Sequence, residues 1–122
     1  MFDHIGFHVS DFPVMKRFLA QALQPLGIQV TAEGEGWAMI GRDGKGQFWF
    51  GSFGASPGPI HIAFAARTRQ EVRDFYDAAL AAGGKDNGPP GLRPQYHPDY
   101  YGAFVIGPDG HNVEAVCKDP KG

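Results

Sequence analysis

Two histidines and one glutamate could bind a metal ion: His4 near the start of the chain, His61 in the middle and Glu114 near the end. Each lies in a short segment where bulky apolar residues alternate with small or polar ones, a pattern typical of a β-strand with one buried face. Successive side chains of a strand point to opposite faces, so the three candidates fall on the faces that carry the small or polar residues. Two imidazoles and one carboxylate leave open positions on a six-coordinate divalent ion.

Glu114 has two interpretations from its own segment. Residues 104–106 predict a strand, residues 107–110 a tight turn and residues 111–117 a returning strand. The glutamate is either an ordinary carboxylate on the solvent side of that strand or one directed into a concave, functional face. The matching patterns around His4 and His61 favour the second interpretation.

Two further residues lie on the same predicted faces. His8 is two alternations along the strand from His4 and could act as a general base or hydrogen-bond to a metal ligand. A partly buried structural histidine is the alternative. Trp49 could form a wall of a binding cleft and contact the substrate, although an aromatic residue in a sheet is more often simply packed.

Residues 85–102 are interpreted as one long loop rich in glycine, proline and tyrosine. A loop of this length in a compact domain is usually functional or disordered, and its aromatic residues argue against disorder. Arg93 could hold an anionic group of a substrate and Tyr96 could contact the substrate, while His97 and Tyr101 could transfer protons as catalytic groups. The alternative is that these aromatic residues close a hydrophobic edge or a dimer contact.

The elements that must position these residues occur in the same order twice. After the first strand, Ser10 and Asp11 can cap a helix over residues 12–25, and three short strands follow at 28–31, 36–41 and 47–52. A Gly/Pro/Ser linker at 54–59 leads to the His61 strand, to a helix that begins with the capping box Thr68–Glu71, and to the final hairpin. The repeat predicts an α+β fold of paired β-α-β-β-β units, at about 1–53 and 59–118, in one domain spanning 1–122.

The composition argues against some classes of partner and location. The chain has 122 residues, a formal net charge of −2 and no basic cluster, which argues against a nucleic-acid partner. No apolar run is long enough to span a membrane and no signal peptide opens the chain, so we expect a cytoplasmic protein. The single cysteine, Cys117, falls on an apolar strand face and is expected to be buried and inert. His111, beside the turn, is expected at the surface.

Three motifs together resemble those of the vicinal oxygen chelate superfamily, which includes glyoxalase I, extradiol dioxygenases, fosfomycin-resistance enzymes and bleomycin-binding proteins. They are residues 3–11 (DHIGFHVSD), 59–63 (PIHIA) and 107–114 (GPDGHNVE). The resemblance implies curved mixed sheets that form a cleft with the helices outside. It also implies a divalent ion (Zn, Ni, Fe, Mn or Co) held by His4, His61 and Glu114. A homodimer with a shared cleft is implied as well, in which His4 serves with the partner's His61 and Glu114.

The resemblance leaves the reaction open. The glyoxalase branch has a carboxylate on the last strand of the first unit, where this chain has Gln47 and Trp49, and either Gln47 or water could take that fourth position. Extradiol dioxygenases have a tyrosine where Phe104 stands, and fosfomycin-resistance enzymes a hydroxyl residue at Gly6. We expect lyase or isomerase chemistry on a small substrate with adjacent oxygens. The alternatives are an extradiol-type dioxygenase, a thiol transferase that uses glutathione or another thiol, and a non-catalytic bleomycin-resistance-like binding protein.

Overall fold

The computed structural model describes residues 1–122 as two successive β-α-β-β-β units. The elements of the first are β1 (Ile5–His8), α1 (Phe12–Leu23), β2 (Gln29–Gly34), β3 (Trp37–Arg42) and β4 (Lys45–Gly51). The elements of the second are β5 (His61–Ala65), α2 (Arg69–Ala81), β6 (Lys85–Leu92), β7 (Tyr101–Ile106) and β8 (Asn112–Cys117). Short 3₁₀ turns cover Gln24–Leu26 and Pro108–Gly110.

Each unit forms its own four-stranded mixed sheet. The strand orders are β1-β4-β3-β2 and β5-β8-β7-β6, and in both the first strand pairs in parallel with the last while the other pairs are antiparallel. The sheets do not close into a barrel. The predicted α+β fold of paired β-α-β-β-β units is therefore confirmed.

The helices begin where the sequence predicts. The Asp11 carboxylate accepts the Val14 N–H at 3.1 Å, and the Thr68 hydroxyl accepts the Glu71 N–H at 3.0 Å. Each bond satisfies one of the donors that the first turn of a helix leaves free. The first helix ends at Leu23, slightly earlier than predicted, and a 3₁₀ turn containing Pro25 then closes on Gly27 at a φ of 74°.

One hydrophobic core joins the two units. Twenty buried apolar residues from both sheets and both helices form a single cluster. The helices α1 and α2 pack against each other, and the rings of Phe48 and Phe64, from different units, lie 6.0 Å apart. Phe18 of α1 reaches the second unit so closely that a Cβ added to Gly107 would lie 2.8 Å from its ring. The apolar face of each sheet is thus used in the shared core, which leaves the opposite faces for function.

Two polar residues, Arg42 and Asp109, link the two units through hydrogen bonds. From β3, Arg42 donates to the Leu26 carbonyl at 2.8 Å and to the Ala65 carbonyl at 2.5 Å. Asp109, in the β7–β8 turn, accepts the Ser10 N–H at 3.0 Å and the Ser56 hydroxyl at 3.3 Å. Burial would raise the pKa of Asp109, but these hydrogen bonds outweigh it and hold the pKa below its usual value.

The structure corrects two expectations. Residues 85–92, expected as part of a loop, form strand β6 at the edge of the second sheet. An edge strand tolerates Pro89 and Pro90 because one side of its backbone needs no partner, and the pairing with β7 is irregular on both sides of Gly88. His111, expected at the surface, is only 1% exposed. Its Nδ1 accepts the Ile60 N–H at 3.0 Å, so the ring secures the entry to β5.

The 54–59 segment contains neither helix nor strand, as predicted for a linker. Cys117 is buried and unpaired, as expected. Neither α-helix combines the length and the apolar character that a membrane crossing requires.

Candidate metal centre

The carboxylate of Glu114 is completely buried, at 0% exposure, and both of its oxygens have partners. Oε1 lies 2.6 Å from Nε2 of His61, and Oε2 accepts a hydrogen bond from the Tyr100 hydroxyl. A buried carboxylate is stable only when it is paired or hydrogen-bonded, and both conditions are met here. We call His61, Tyr100 and Glu114 the Glu114 half-site.

Strand register explains how these residues meet. The strands β5 and β8 are parallel neighbours in which Ala63 lies beside Glu114, so the His61 side chain reaches the carboxylate along the same face of the sheet. On the β7 side of Glu114, Gly102 leaves the space that the contact between Tyr100 and Glu114 needs. A Cβ at Gly102 would lie 3.1 Å from the Tyr100 ring and 3.3 Å from Oε2 of Glu114.

Tyr100 acts as a proton donor to the carboxylate. Burial raises the pKa of the Tyr100 hydroxyl far above its usual value, and the hydrogen bond to Glu114 is the second-largest cause of the rise. The positive charge of Arg93 opposes the rise. The phenol is therefore protonated at neutral pH and holds Oε2. This leaves Oε1 and the His61 nitrogen as the groups that could share a cation.

A recess lined by aromatic residues opens beside this pair. Tyr96 and Phe104 line it together with His61 and Tyr100, and the rings of Tyr96 and Tyr100 meet edge to face at 5.2 Å. An adjoining depression shares His61, Tyr96 and Phe104 and adds Arg93. The structure thus brings Arg93 and Tyr96, both predicted to bind substrate, to the side of His61.

His4 lies elsewhere, on the first sheet. It lines a separate depression together with His8 and Trp49, and its side chain is 58% exposed with Nδ1 2.7 Å from the Asp3 carboxylate. The His8 ring stands perpendicular to Trp49 at 5.5 Å, and its buried Nδ1 has no hydrogen-bond partner. We call His4, His8 and Trp49 the His4 half-site.

The chain therefore divides the predicted ligand set between two half-sites. No group of three or more His, Cys, Asp or Glu side chains within one chain is placed to hold a metal ion. The donors of the Glu114 half-site, one imidazole and one carboxylate, nevertheless fit a divalent transition metal, and the imidazole of His4 would complete the set. A metal ion bound at the Glu114 half-site would take any third protein ligand from outside it.

The two predicted proton-transfer residues of the 85–102 segment do not lie in either half-site. The Tyr101 ring packs beneath the guanidinium of Arg69, at 5.2 Å, and its hydroxyl accepts from Arg73 at 3.2 Å, so it faces α2. His97 lies in the exposed turn before β7, where its Nδ1 accepts the Asp99 N–H at 3.0 Å. Tyr100, which the sequence analysis did not select, takes the position beside Glu114.

Comparison with known proteins agrees with this architecture. The model of the glyoxalase/bleomycin resistance protein/dioxygenase superfamily matches residues 1–115. The chain belongs to that superfamily. This confirms the family that the sequence motifs resembled, and it shows a glyoxalase or dioxygenase type of protein, a superfamily that is generally metal-dependent.

Several solved structures resemble the chain. A glyoxalase/bleomycin resistance protein from Albidiferax ferrireducens T118 is 27% identical, with a TM-score of 0.79 over 96% of this chain and 98% of that one. A family enzyme from Burkholderia phytofirmans PsJN is 18% identical, with a TM-score of 0.72 over 96% and 98%. The oxidase ChaP-H2 is 21% identical, with a TM-score of 0.67 over 100% and 95%. No curated protein sequence matches the chain.

Proposed function

We propose that this protein is a metal-dependent enzyme in which His61 and Glu114 hold a divalent ion that chelates two adjacent oxygens of a small substrate. The observation that carries the proposal is the buried Glu114 carboxylate, 2.6 Å from the His61 nitrogen at the wall of an open recess. Such a charge is costly to bury, and a purely apolar binding pocket would not require it.

The ion, when bound, would supply Lewis acidity that stabilises an enediolate, alkoxide or catecholate. The residues of the chain would perform the remaining tasks. Tyr100 fixes one oxygen of Glu114 and so presents the other, and the rings of Tyr96 and Phe104 line the recess where a substrate would lie. His61 is 54% exposed on its side chain and so remains accessible from the recess.

We further propose that His4 of a partner subunit supplies the third ligand. The support is the division of the ligand set into two half-sites, each on the face of its sheet turned away from the shared core. The strands β1 and β5 are sheet edges, and exposed apolar side chains, among them Phe2 and Ile5, lie next to His4. A two-fold dimer that brings the His4 half-site of each chain to the Glu114 half-site of the other would build two identical clefts. In such a cleft His8 could act as the general base and Trp49 could contact the substrate.

Metal analysis tests the site directly. The protein is purified without chelators beside Glu114→Gln, which preserves the shape of the side chain, and Glu35→Gln, a control in an exposed turn. We expect near-stoichiometric metal in the wild type and in Glu35→Gln, and its loss in Glu114→Gln at unchanged circular dichroism. Absence of metal from all three proteins, even after reconstitution, would instead support the non-catalytic binding protein.

Mixed dimers test the shared cleft. Chains carrying His4→Ala are unfolded and refolded together with chains carrying Glu114→Gln. In a shared-cleft dimer the two defects fall in one cleft of the mixed dimer and leave the other cleft intact, so metal binding returns in part. If all the ligands came from one chain, mixing would restore nothing.

The metal also separates the candidate reactions. Lyase or isomerase chemistry is the leading proposal and is favoured by nickel, zinc or cobalt; turnover of the hemithioacetal of methylglyoxal and glutathione would test it. Iron together with oxygen uptake on catechols would favour the dioxygenase alternative. Manganese together with epoxide opening by glutathione would favour the thiol transferase.

A further inference from the structure

We infer that the substrate carries a carboxylate in addition to its two adjacent oxygens, and that Arg93 binds this carboxylate. The inference rests on the proposed function, because it places the carboxylate beside oxygens held at the Glu114 half-site. The inference specifies a negative charge on the substrate, which the chelating oxygens alone do not specify.

The guanidinium of Arg93 is held at the edge of the recess. Its central carbon lies 5.4 Å from the centre of the Phe104 ring, and Nη2 donates to the Pro89 carbonyl at 2.7 Å. Phe104 pairs with Glu114 across β7 and β8, so the ring that supports Arg93 is anchored beside the buried carboxylate. Stacking and one hydrogen bond fix the plane of the guanidinium before any ligand arrives, which lowers the entropy lost on binding.

No side chain of the chain neutralises this cation. Three ion pairs join a lysine or arginine to a carboxylate, and Arg93 takes part in none of them. Arg42, by comparison, lies 3.9 Å from the Glu71 carboxylate. A guanidinium has five N–H donors in a planar fork that matches a carboxylate, and the bond to Pro89 uses only part of this capacity.

Two glycines of β6 leave the space that the guanidinium occupies. A Cβ at Gly91 would lie 3.1 Å from Nη1, and a Cβ at Gly88 would lie 3.2 Å from Nη2. Gly91 has no positive φ, so alanine there is compatible with the backbone and would act mainly by displacing the guanidinium. Gly91→Ala thus moves the charge without removing it.

A structural role for Arg93 is the competing explanation, because its bond to Pro89 also ties this residue, which directly follows β6, back to that strand. The two roles predict different results for a matched pair of ligands. A structural residue would affect ligands with and without a carboxylate alike, whereas a carboxylate-binding residue would affect only the first.

The probes are catechol, 2,3-dihydroxybenzoate and 3,4-dihydroxybenzoate, whose adjacent oxygens are the same and which differ in the carboxylate. Dissociation constants are measured by calorimetry and from the visible spectrum of the cobalt-reconstituted protein. The variants are Arg93→Gln and Gly91→Ala, with Arg73→Gln as the control, an arginine that also lies over an aromatic ring, that of Tyr101, but belongs to α2.

We expect the wild type and Arg73→Gln to bind one of the two benzoates about tenfold or more tightly than catechol, the range of a charged hydrogen bond. Arg93→Gln should lose this preference while its affinity for catechol is unchanged, and Gly91→Ala should reduce it. Equal affinity for all three probes in the wild type would overturn this inference alone, as would an equal loss for all probes in Arg93→Gln. Failure of every probe to perturb the cobalt spectrum would overturn the proposed function as well.

Discussion

Acidification should destabilise the fold through His111. Its Nδ1 accepts the Ile60 N–H at 3.0 Å, so the neutral ring carries its proton on Nε2, inside the core. Protonation of Nδ1 would make it a donor that faces another donor, the Ile60 N–H. It would also place a charge beside the Phe7 ring, which meets His111 edge to face at 4.9 Å. Burial lowers the pKa of His111 below its usual value, and attraction to Asp109 opposes this only in part.

The sign and the magnitude follow from proton linkage. In the unfolded chain a histidine takes up its proton near pH ~6.5, whereas folded His111 takes it up only at lower pH. Between these two values the unfolded state binds more protons, so the free energy of unfolding falls as the pH falls. For one group the slope approaches about 1.4 kcal/mol per pH unit, and the stabilisation is fully present above pH ~6.5.

Urea denaturation between pH 8 and pH 5 measures this slope in the wild type and in His111→Asn. The asparagine Oδ1 can accept the same Ile60 N–H without titrating, although the smaller side chain leaves a cavity and should lower the stability at pH 8. We expect a flatter pH dependence in the variant. The same substitution at His97, in its exposed turn, controls for the removal of any one histidine. Parallel curves for the wild type and His111→Asn would refute this reasoning.

Four other substitutions give distinct outcomes in the same denaturation assay. Tyr100→Phe leaves one oxygen of the buried Glu114 carboxylate without its donor, so it should destabilise the protein by about 1–3 kcal/mol and, in a separate titration, weaken metal binding. Asp109→Asn should cost about 1–2 kcal/mol at pH 7 and less near pH 3, because a carboxyl with a lowered pKa contributes stability above pH ~4 that is lost as the pH falls. Phe75→Ala, in the core, should cost about 3–5 kcal/mol. Leu92→Ala, at an exposed site, should stay within about 0.5 kcal/mol, and a larger loss there would contradict the assignment of the core.

Local sequence patterns were sufficient to predict most of the fold. Helix caps at Asp11 and Thr68 and the alternation in the other strands identified the repeated order of elements. Strand β6 was not predicted because its sequence, Lys-Asp-Asn-Gly-Pro-Pro-Gly-Leu, has neither alternation nor β-branched residues. Its pairing depends on the neighbouring strand β7, which is tertiary information. The repeat itself contained the missing signal, since a second unit matching the first requires a strand between its helix and the final hairpin.

The division of the site into halves could not be read from local pattern. Alternation shows which face of a strand a residue occupies, and it placed His61 and Glu114 on the faces where the structure has them. It does not show which faces meet, because that depends on how the two units pack. The aromatic contact between Phe48 and Phe64 and the packing of α1 on α2 turn the apolar faces of both sheets into one core, and so they separate His4 from Glu114.

Tyr100 shows how the start of a strand decides a functional assignment. The sequence predicts a strand beginning at Phe104 and a loop over residues 85–102, in which Tyr101 is the predicted proton-transfer residue. The strand begins at Tyr101, and its alternation continues backwards from Phe104 through Gly102 to Tyr100 on the face of Glu114. Tyr101 then shares the α2 side with Ala103 and Val105. Glycine at position 102 supports this parity independently, since a side chain there would crowd both the Tyr100 ring and the Glu114 carboxylate. Where a chain has two adjacent candidate residues, the small residue that leaves space for one of them therefore carries information about which one faces the site.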